Sequence, residues 1–177
     1  MKIIRTLGFL LSLFLTVGVC RAEECSSVVP ESGHKLLADF PGWRIVLLND
    51  LPTDDIGLWN AANRGRCPGV AVGNFVNEYA QSYAIALIRK NPSGKLEEQL
   101  LLLAPKGRTL SRLVVVRPTL VVSPFVVWRV PPGKYSGVDK DESVSVEHDS
   151  FVYEKIEATA TQYYFVNGHL RSLLTAE

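Results

Sequence analysis

The chain has 177 residues, of which 47% are hydrophobic and 21% charged, and its 19 basic residues nearly balance its 18 acidic ones. Enough apolar side chains are present to build a core, which excludes a disordered, highly charged chain. The near-neutral balance also excludes the polybasic surface with which proteins bind nucleic acid. We therefore expect a globular protein without a nucleic-acid partner.

The first predicted element in chain order is a secretory signal peptide at residues 1–22. Lys2 and Arg5 precede an apolar run of about 14 residues, and Cys20-Arg21-Ala22 follows it. A basic start, an apolar middle and small residues before the cut are typical of such signals. A transmembrane anchor is the alternative, but a spanning helix needs roughly 20 apolar residues. A lipid attached at Cys20 is another, although Val19 stands where lipoprotein signals carry a small residue.

Cleavage after Ala22 predicts a mature chain of residues 23–177 and a location in the periplasm or outside the cell. Loss of Lys2, Arg5 and Arg21 leaves 16 basic residues against 18 acidic ones. This length fits a single mostly-β domain. The most apolar later stretch, residues 113–130, is interrupted by two arginines and two prolines, so no membrane span is predicted after signal cleavage.

The mature chain retains two cysteines, Cys25 and Cys67. In an oxidising compartment an even number of cysteines favours a disulfide. A bridge between these two would close a loop of about 42 residues and stabilise the fold by roughly 3 to 4 kcal/mol in the chain-entropy model. Two buried free thiols are the alternative, whereas a cysteine-based metal site needs more ligands than two.

Two short helices and one strand are predicted before Cys67. Ser32 can cap the first helix, and Pro41-Gly42 ends it. Thr53, with two aspartates after it, is a good start for the second, because acidic residues suit the helix dipole there. The predicted segments are a loose polar stretch at 23–33, a helix at 32–40, a strand at 43–48, a helix at 56–62 and a loop at 63–69.

Strands joined by short turns are predicted after Cys67. Residues 91–94 and 105–107 are turn sequences, so the strands they separate pair as antiparallel hairpins. Asn167-Gly168 is the strongest short-range hairpin signal in the chain. The polar stretch 131–142 is predicted to be a surface loop, and residues 148–150 to join two paired strands. The predicted strands are 70–75, 83–88, 96–103, 110–116, one or two within 121–130, 143–147, 151–156, 159–165 and 169–174.

This order of elements predicts a mainly β fold of the α+β class. We expect an antiparallel meander sheet or sandwich with one or two short N-terminal helices. The strand pattern leaves a curved sheet, a sandwich and an incomplete barrel open. No internal repeat of fixed period is present.

One segment, residues 73–84 (GNFVNEYAQSYA), resembles the strand–loop–strand unit of FG-GAP and VCBS-type proteins. In that family an acidic loop between two strands holds calcium. Gly73, Phe75, Tyr83 and Ala84 match the residues that frame the unit. The ligand positions differ, because Asn74, Val76 and Ser82 stand where the family has aspartate or asparagine, Tyr79 replaces a glycine, and Glu78 alone keeps a carboxylate.

The resemblance therefore implies the strand geometry without the metal, since calcium requires six to eight oxygens, several of them charged. In wider outline, the chain is similar to small secreted bacterial proteins of unassigned function. That likeness rests on the Cys67-Pro68-Gly69 motif, the altered loop and the late aromatic strand around residues 163–165.

No catalytic set is recognised in the sequence, and we predict no catalytic residue and no cofactor. His148 lies among Glu147, Asp149 and Ser150, but adjacent strand residues point to opposite faces. Sequence motifs of nucleophile elbows, zinc proteases and nucleotide sites are missing. Paired carboxylates of the kind glycosidases use are assigned to a helix start, an exposed strand face and a loop; they are Asp54 with Asp55, Glu97 with Glu98, and Asp139 with Asp141 and Glu142.

These observations favour a secreted or periplasmic binding domain that engages a protein partner, in the manner of an inhibitor or immunity protein. Trp59, Arg64 and Arg66 are the candidate contact residues, because Trp and Arg are favoured interface anchors. The plainer interpretation is that Trp59 packs its helix onto the sheet. A small hydrolase of the cell envelope and a calcium-stabilised β domain are the alternative functions.

Overall fold

The computed structural model describes residues 22–139 and 142–177. Within these ranges, eleven strands and three helices are present, which confirms the predicted mainly β, antiparallel fold. The helices are α1 (Ala22–Val28), α2 (Glu31–Leu37) and α3 (Thr53–Asn63), and Leu48–Asp50 forms a 3₁₀ turn. The strands are β1 (Arg44–Ile45), β2 (Val70–Gly73), β3 (Ser82–Lys90), β4 (Leu96–Lys106), β5 (Thr109–Leu120), β6 (Val126–Val130), β7 (Gly133–Ser136), β8 (Ser143–Val146), β9 (Ser150–Glu154), β10 (Ala160–Val166) and β11 (His169–Ala176). Apart from Ala22, the predicted signal peptide lies outside the described residues.

Strands β1 to β5 form one sheet, which we name the central sheet. Its order is β1-β3-β4-β5, and β2 pairs with β3 beside β1. The turn predicted at residues 91–94 connects β3 to β4 as an antiparallel hairpin. The turn predicted at 105–107 falls at residues 107–108, because Pro105 and Lys106 still pair with Leu110 and Thr109 in the hairpin of β4 and β5. Leucines 100 to 103 are fully buried on both faces of β4, so layers must cover the central sheet on each side.

A second sheet, which we name the outer sheet, has the order β11-β10-β9-β6. The predicted Asn167-Gly168 hairpin joins β10 and β11, with Val166 opposite His169. Both turn residues have positive φ, 51° for Asn167 and 75° for Gly168, as the tight turns of two-residue hairpins require. Strands β7 and β8 form a separate two-stranded ribbon.

Three layers result from these contacts. Cys25 and Val29, at the N-terminal helices, pack on the face of the central sheet that carries Ile85 and Leu101. The opposite face packs on the outer sheet, through a cluster that includes Phe75, Leu102, Val127, Phe151 and Tyr153. Trp59 of α3 belongs to this second cluster, so α3 closes one side of the space between the sheets.

Several local predictions are wrong. Residues 23–33 were expected to be loose, yet α1 and the start of α2 lie there. The expected loop at 131–142 contains β7, which pairs with β8. The strand expected at 43–48 is reduced to Arg44–Ile45, because a 3₁₀ turn begins at Leu48.

The hairpin predicted across residues 148–150 is also wrong. Strand β8 pairs with β7, whereas β9 lies between β6 and β10. A tertiary contact explains the difference, because Asp149 Oδ2 accepts the backbone N–H of Asn74 at 2.9 Å. This hydrogen bond draws residues 148–150 toward the end of β2 and away from a local turn.

Strand β5 is the far edge of the central sheet, and no other described strand pairs with its outer side. It exposes Leu113 and Val114, each 43% accessible.

No helix among the described residues is long and apolar enough to cross a membrane.

Candidate functional site

The two sheets meet edge to edge at β2 and β6, and the site lies along this seam. At one end, the backbone N–H of Val127 donates to the carbonyl of Pro68 at 2.7 Å. At the other, Asp149 binds the N–H of Asn74 and lies 3.4 Å from Arg129 Nη1. Strands β2 and β6 form no ladder between these contacts within the described residues. A cleft of about 640 Å³ occupies this place.

The walls of the cleft come from five parts of the chain. Strand β2 supplies Val70, Ala71 and Val72, and β6 supplies Val127, Trp128 and Arg129. Helix α1 contributes Val28, which is 40% exposed, α3 contributes Trp59, and the loop of residues 65–67 completes the lining. This volume lies in the range of pockets that bury a ligand or an anchoring side chain.

The disulfide sets the position of one wall. The sulfurs of Cys25 and Cys67 lie 2.09 Å apart, as predicted from the cysteine count. Cys25 is in α1, three residues before Val28, and Cys67 directly precedes Pro68 at the seam. The bridge therefore ties α1 to the start of β2, where both line the cleft.

Both indole N–H groups at the cleft are already satisfied by the protein. Trp59 Nε1 donates to the carbonyl of Arg66 at 3.1 Å, and Trp128 Nε1 donates to Glu154 Oε2 at 2.9 Å. Neither N–H is left to bind a ligand. Together with the surrounding valines, the tryptophans make the cleft a mainly apolar surface.

Positive charge surrounds this apolar surface. The side chains of Arg64, Arg66 and Arg129 are exposed, and Arg66 and Arg129 line the cleft. Among the described residues, neither Arg64 nor Arg66 makes an ion pair within 4.0 Å, and Arg129 has only the long contact with Asp149. The arrangement can take an apolar group that carries a carboxylate beside it.

The predicted contact residues Trp59, Arg64 and Arg66 divide between two roles here. Trp59 is 3% exposed and packs in the core, with part of its surface at the cleft. Arg64 and Arg66 lie on the loop after α3, and only Arg66 lines the cleft. Sequence reasoning missed Trp128, because a tryptophan in a strand pattern resembles a core residue. It missed Val28 and Arg129 because α1 and β6 come together only in the folded chain.

The residues that resemble a calcium loop divide between the surface and the core. Asn74 Nδ2 donates to the carbonyl of Glu78 at 3.1 Å, so the amide closes the loop. The Glu78 side chain is exposed, whereas Ser82 is fully buried. The described residues hold no cluster of three or more His, Cys, Asp or Glu side chains suited to a metal ion.

The His148 neighbourhood does not form a nucleophile–base pair. Ser150 is fully buried, and its Oγ accepts a hydrogen bond from Gln162 Nε2 at 2.8 Å. Asp149 is held by Asn74 and Arg129 as described above. His148 lines two small polar depressions of about 250 and 460 Å³ on this side of the protein.

The three candidate groups of carboxylates lie on different elements and do not come together. Asp54 and Asp55 are in the first turn of α3, and Asp139 and Glu142 flank the turn after β7. Asp141 lies outside the described residues. Glu97 pairs with Arg89 at 2.8 Å on the sheet surface.

The expectation that Glu98 lies on an exposed strand face is wrong, because its side chain is fully buried. Burial raises the pKa of the Glu98 carboxyl to about 7, against the opposing effects of the Phe125 N–H, which donates to it, and of the nearby Tyr153 hydroxyl. The Tyr153 hydroxyl lies beside this carboxyl without the geometry of a regular hydrogen bond. Burial also raises the pKa of Tyr153, as does the charge of Glu98.

Comparison with known proteins identifies no relatives: no protein-family model, curated protein or solved structure matches the chain.

Proposed function

We propose that the chain is an exported, non-catalytic binding domain that engages a protein partner through the cleft between β2 and β6. The supporting observation is an apolar cleft with its indole N–H groups internally satisfied and with arginines at its rim. In this proposal the protein acts as an inhibitor or immunity protein of the periplasm or the cell exterior.

The chemistry of the cleft defines the partner's contact. An aliphatic or aromatic side chain of the partner can pack against Val28, Val72 and Trp128. Buried apolar anchors of this kind, at the centre of an interface, carry most of the binding energy. Arg66 and Arg129 favour an aspartate or glutamate beside that anchor. Charge complementarity of this kind raises the association rate and selects the partner.

The test is affinity capture from the envelope fraction of the organism of origin, followed by titration of the recovered, purified protein. The disrupting variant combines Val28→Asp with Arg66→Ala. Its matched control combines Leu113→Asp with Arg108→Ala on and beside β5. Leu113 is 43% exposed against 40% for Val28, and the two double variants change the net charge equally.

We expect the cleft variant to bind the recovered protein at least about 30-fold more weakly than wild type, as loss of a hot spot would cause. The control variant should bind as wild type does. Equal binding by all three proteins would place the contact elsewhere and overturn the proposal.

The hydrolase alternative is tested on the same material. Turnover of cell-wall glycan or peptide by the purified chain, with no partner captured, would reverse the proposal. Turnover that survives in the cleft variant would show in addition that this site is not involved.

A further inference from the structure

A buried carboxyl links the central sheet to the strand that forms one wall of the cleft. Both oxygens of Glu98 accept the backbone N–H of Phe125, at 3.1 and 2.9 Å. Glu98 lies on β4 where its pairing with β5 is irregular, between Glu98 and Leu100. Phe125 directly precedes β6, so this contact holds the beginning of β6 against the central sheet.

The groups around Glu98 offer it no positive charge. On β9, the Tyr153 hydroxyl lies beside the carboxyl, and the Phe125 ring stacks on the Tyr153 ring with centroids 4.7 Å apart. On β10, Tyr163 is the next titratable group behind Tyr153. No described Lys, Arg or His makes an ion pair with Glu98.

The charged residues that adjoin Glu98 and Tyr153 on their strands are bound to other groups. On β4 and β3, Glu97 and Arg89 pair with each other. On β9, Glu154 accepts the indole N–H of Trp128. The ionised form of Glu98 is therefore an uncompensated charge in the core, which is costly, whereas the protonated form is not.

Strand β6 connects this carboxyl to the cleft over a short distance in sequence. Val127, two residues after Phe125, makes the seam hydrogen bond to Pro68, and Trp128 and Arg129 follow it along the cleft wall. Val127 also lies opposite Tyr153 in the ladder with β9. Phe125 and Tyr153 therefore both adjoin the residue that makes the seam hydrogen bond.

We propose that Glu98 regulates the cleft, because gain or loss of its proton changes how firmly Phe125, and with it β6, is held against β2. This inference rests on the proposed function for its purpose. With Glu98 protonated, the sheets pack closely and the cleft keeps the shape described above. Ionisation draws water toward the carboxylate and loosens β6 at the seam.

The transition falls near neutrality, because burial raises the pKa of the Glu98 carboxyl to about 7. A protein outside the cytosol meets such changes in its surroundings. Under this proposal, partner binding is stronger on the acidic side of neutrality and weaker on the alkaline side.

The test is an NMR titration of the protein alone, between about pH 5 and pH 9, which follows the indole Nε1–H of Trp128 and the amide of Val127. Trp128→Phe assigns the indole signal. We expect both signals to shift with one midpoint near pH 7, and Glu98→Gln to abolish that shift. Glu97→Gln is the matched control and should leave it unchanged.

Histidines titrate in the same range, so His148→Gln is the second control and should also leave the shift unchanged. Tyr153→Phe tests the same carboxyl without replacing it. The hydroxyl lowers the pKa of Glu98, so its removal should move the midpoint to higher pH.

A flat titration would overturn the inference, as would a shift that persists in Glu98→Gln, disappears in His148→Gln or keeps its midpoint in Tyr153→Phe. Because no partner is present, these outcomes are independent of the capture experiment. If the titration gives the expected shifts but no partner is captured, only the proposed function is contradicted.

Discussion

The ring of Phe75 meets the ring of Phe151 edge-on, with centroids 5.0 Å apart and planes at 63°. Phe75 follows β2 of the central sheet and Phe151 lies on β9 of the outer sheet, and both are fully buried. The pair therefore joins the two sheets close to the seam.

We predict that these two rings stabilise the fold cooperatively. Phe75→Leu and Phe151→Leu should each lower the free energy of unfolding by about 1 kcal/mol. The double variant should show a coupling energy of about 0.5 to 1.5 kcal/mol, as measured for aromatic pairs. Urea denaturation of the four proteins measures it, and strictly additive losses would contradict the prediction.

Glu98 should make stability depend on pH in a direction opposite to that of most carboxylates. Its pKa rises from 4.5 to about 7 on folding, so the folded state binds this proton more tightly than the unfolded chain does. The stabilisation is complete below about pH 4.5 and is lost as the pH rises toward 7, by on the order of 3 kcal/mol.

The measurement compares wild type with Glu98→Gln by urea denaturation at about pH 4.5 and pH 8. The difference between the two proteins isolates Glu98 from all other titrating groups. Wild type should lose more stability than the variant on going to the higher pH, and equal losses would refute the assignment.

The disulfide should contribute roughly 3 to 4 kcal/mol to the free energy of unfolding, because it closes a loop with a sequence separation of 42 residues in the unfolded chain. The Cys25→Ser, Cys67→Ser double variant should therefore denature at a lower urea concentration than oxidised wild type. A reductant should shift wild type in the same direction and leave the variant unchanged. A midpoint that is insensitive to reduction would argue against this contribution.

Calcium should not raise the melting temperature. The loop between β2 and β3 has one carboxylate, that of Glu78, and beside it only neutral oxygens such as those of the Asn74 amide and of the Glu78 carbonyl, which already accepts the Asn74 Nδ2–H. This supply falls short of the six or more oxygens calcium requires. Thermal melts with calcium and with a chelator measure the effect; a rise with calcium that Glu78→Gln removes would restore the calcium-stabilised alternative.

The elements that sequence predicted well are those specified by neighbours along the chain. The hairpins around residues 91–94, 105–107 and 167–168 have turn residues that suit short connections. Strand alternation separates Glu97 from Glu98, since adjacent strand residues point to opposite faces. One of the two carboxylates had to point inward, and it is Glu98.

The elements that sequence did not predict depend on contacts between distant segments. Strand β7 is four residues long and gains its structure from β8. The turn at residues 148–150 is decided by the Asn74–Asp149 hydrogen bond, 75 residues apart. The cleft itself combines α1, α3, β2 and β6, and no single segment shows that pattern.

The open side of β5 has a consequence for how molecules behave when concentrated. Unpaired backbone groups on a long, partly apolar strand invite sheets of neighbouring molecules to fuse. Arg117 is exposed along this strand, Arg112 is paired with Asp39, and Pro118 has no N–H to donate. A second copy approaching this edge would meet the charge of Arg117 and would lack a backbone hydrogen bond at Pro118, so these two residues oppose such association.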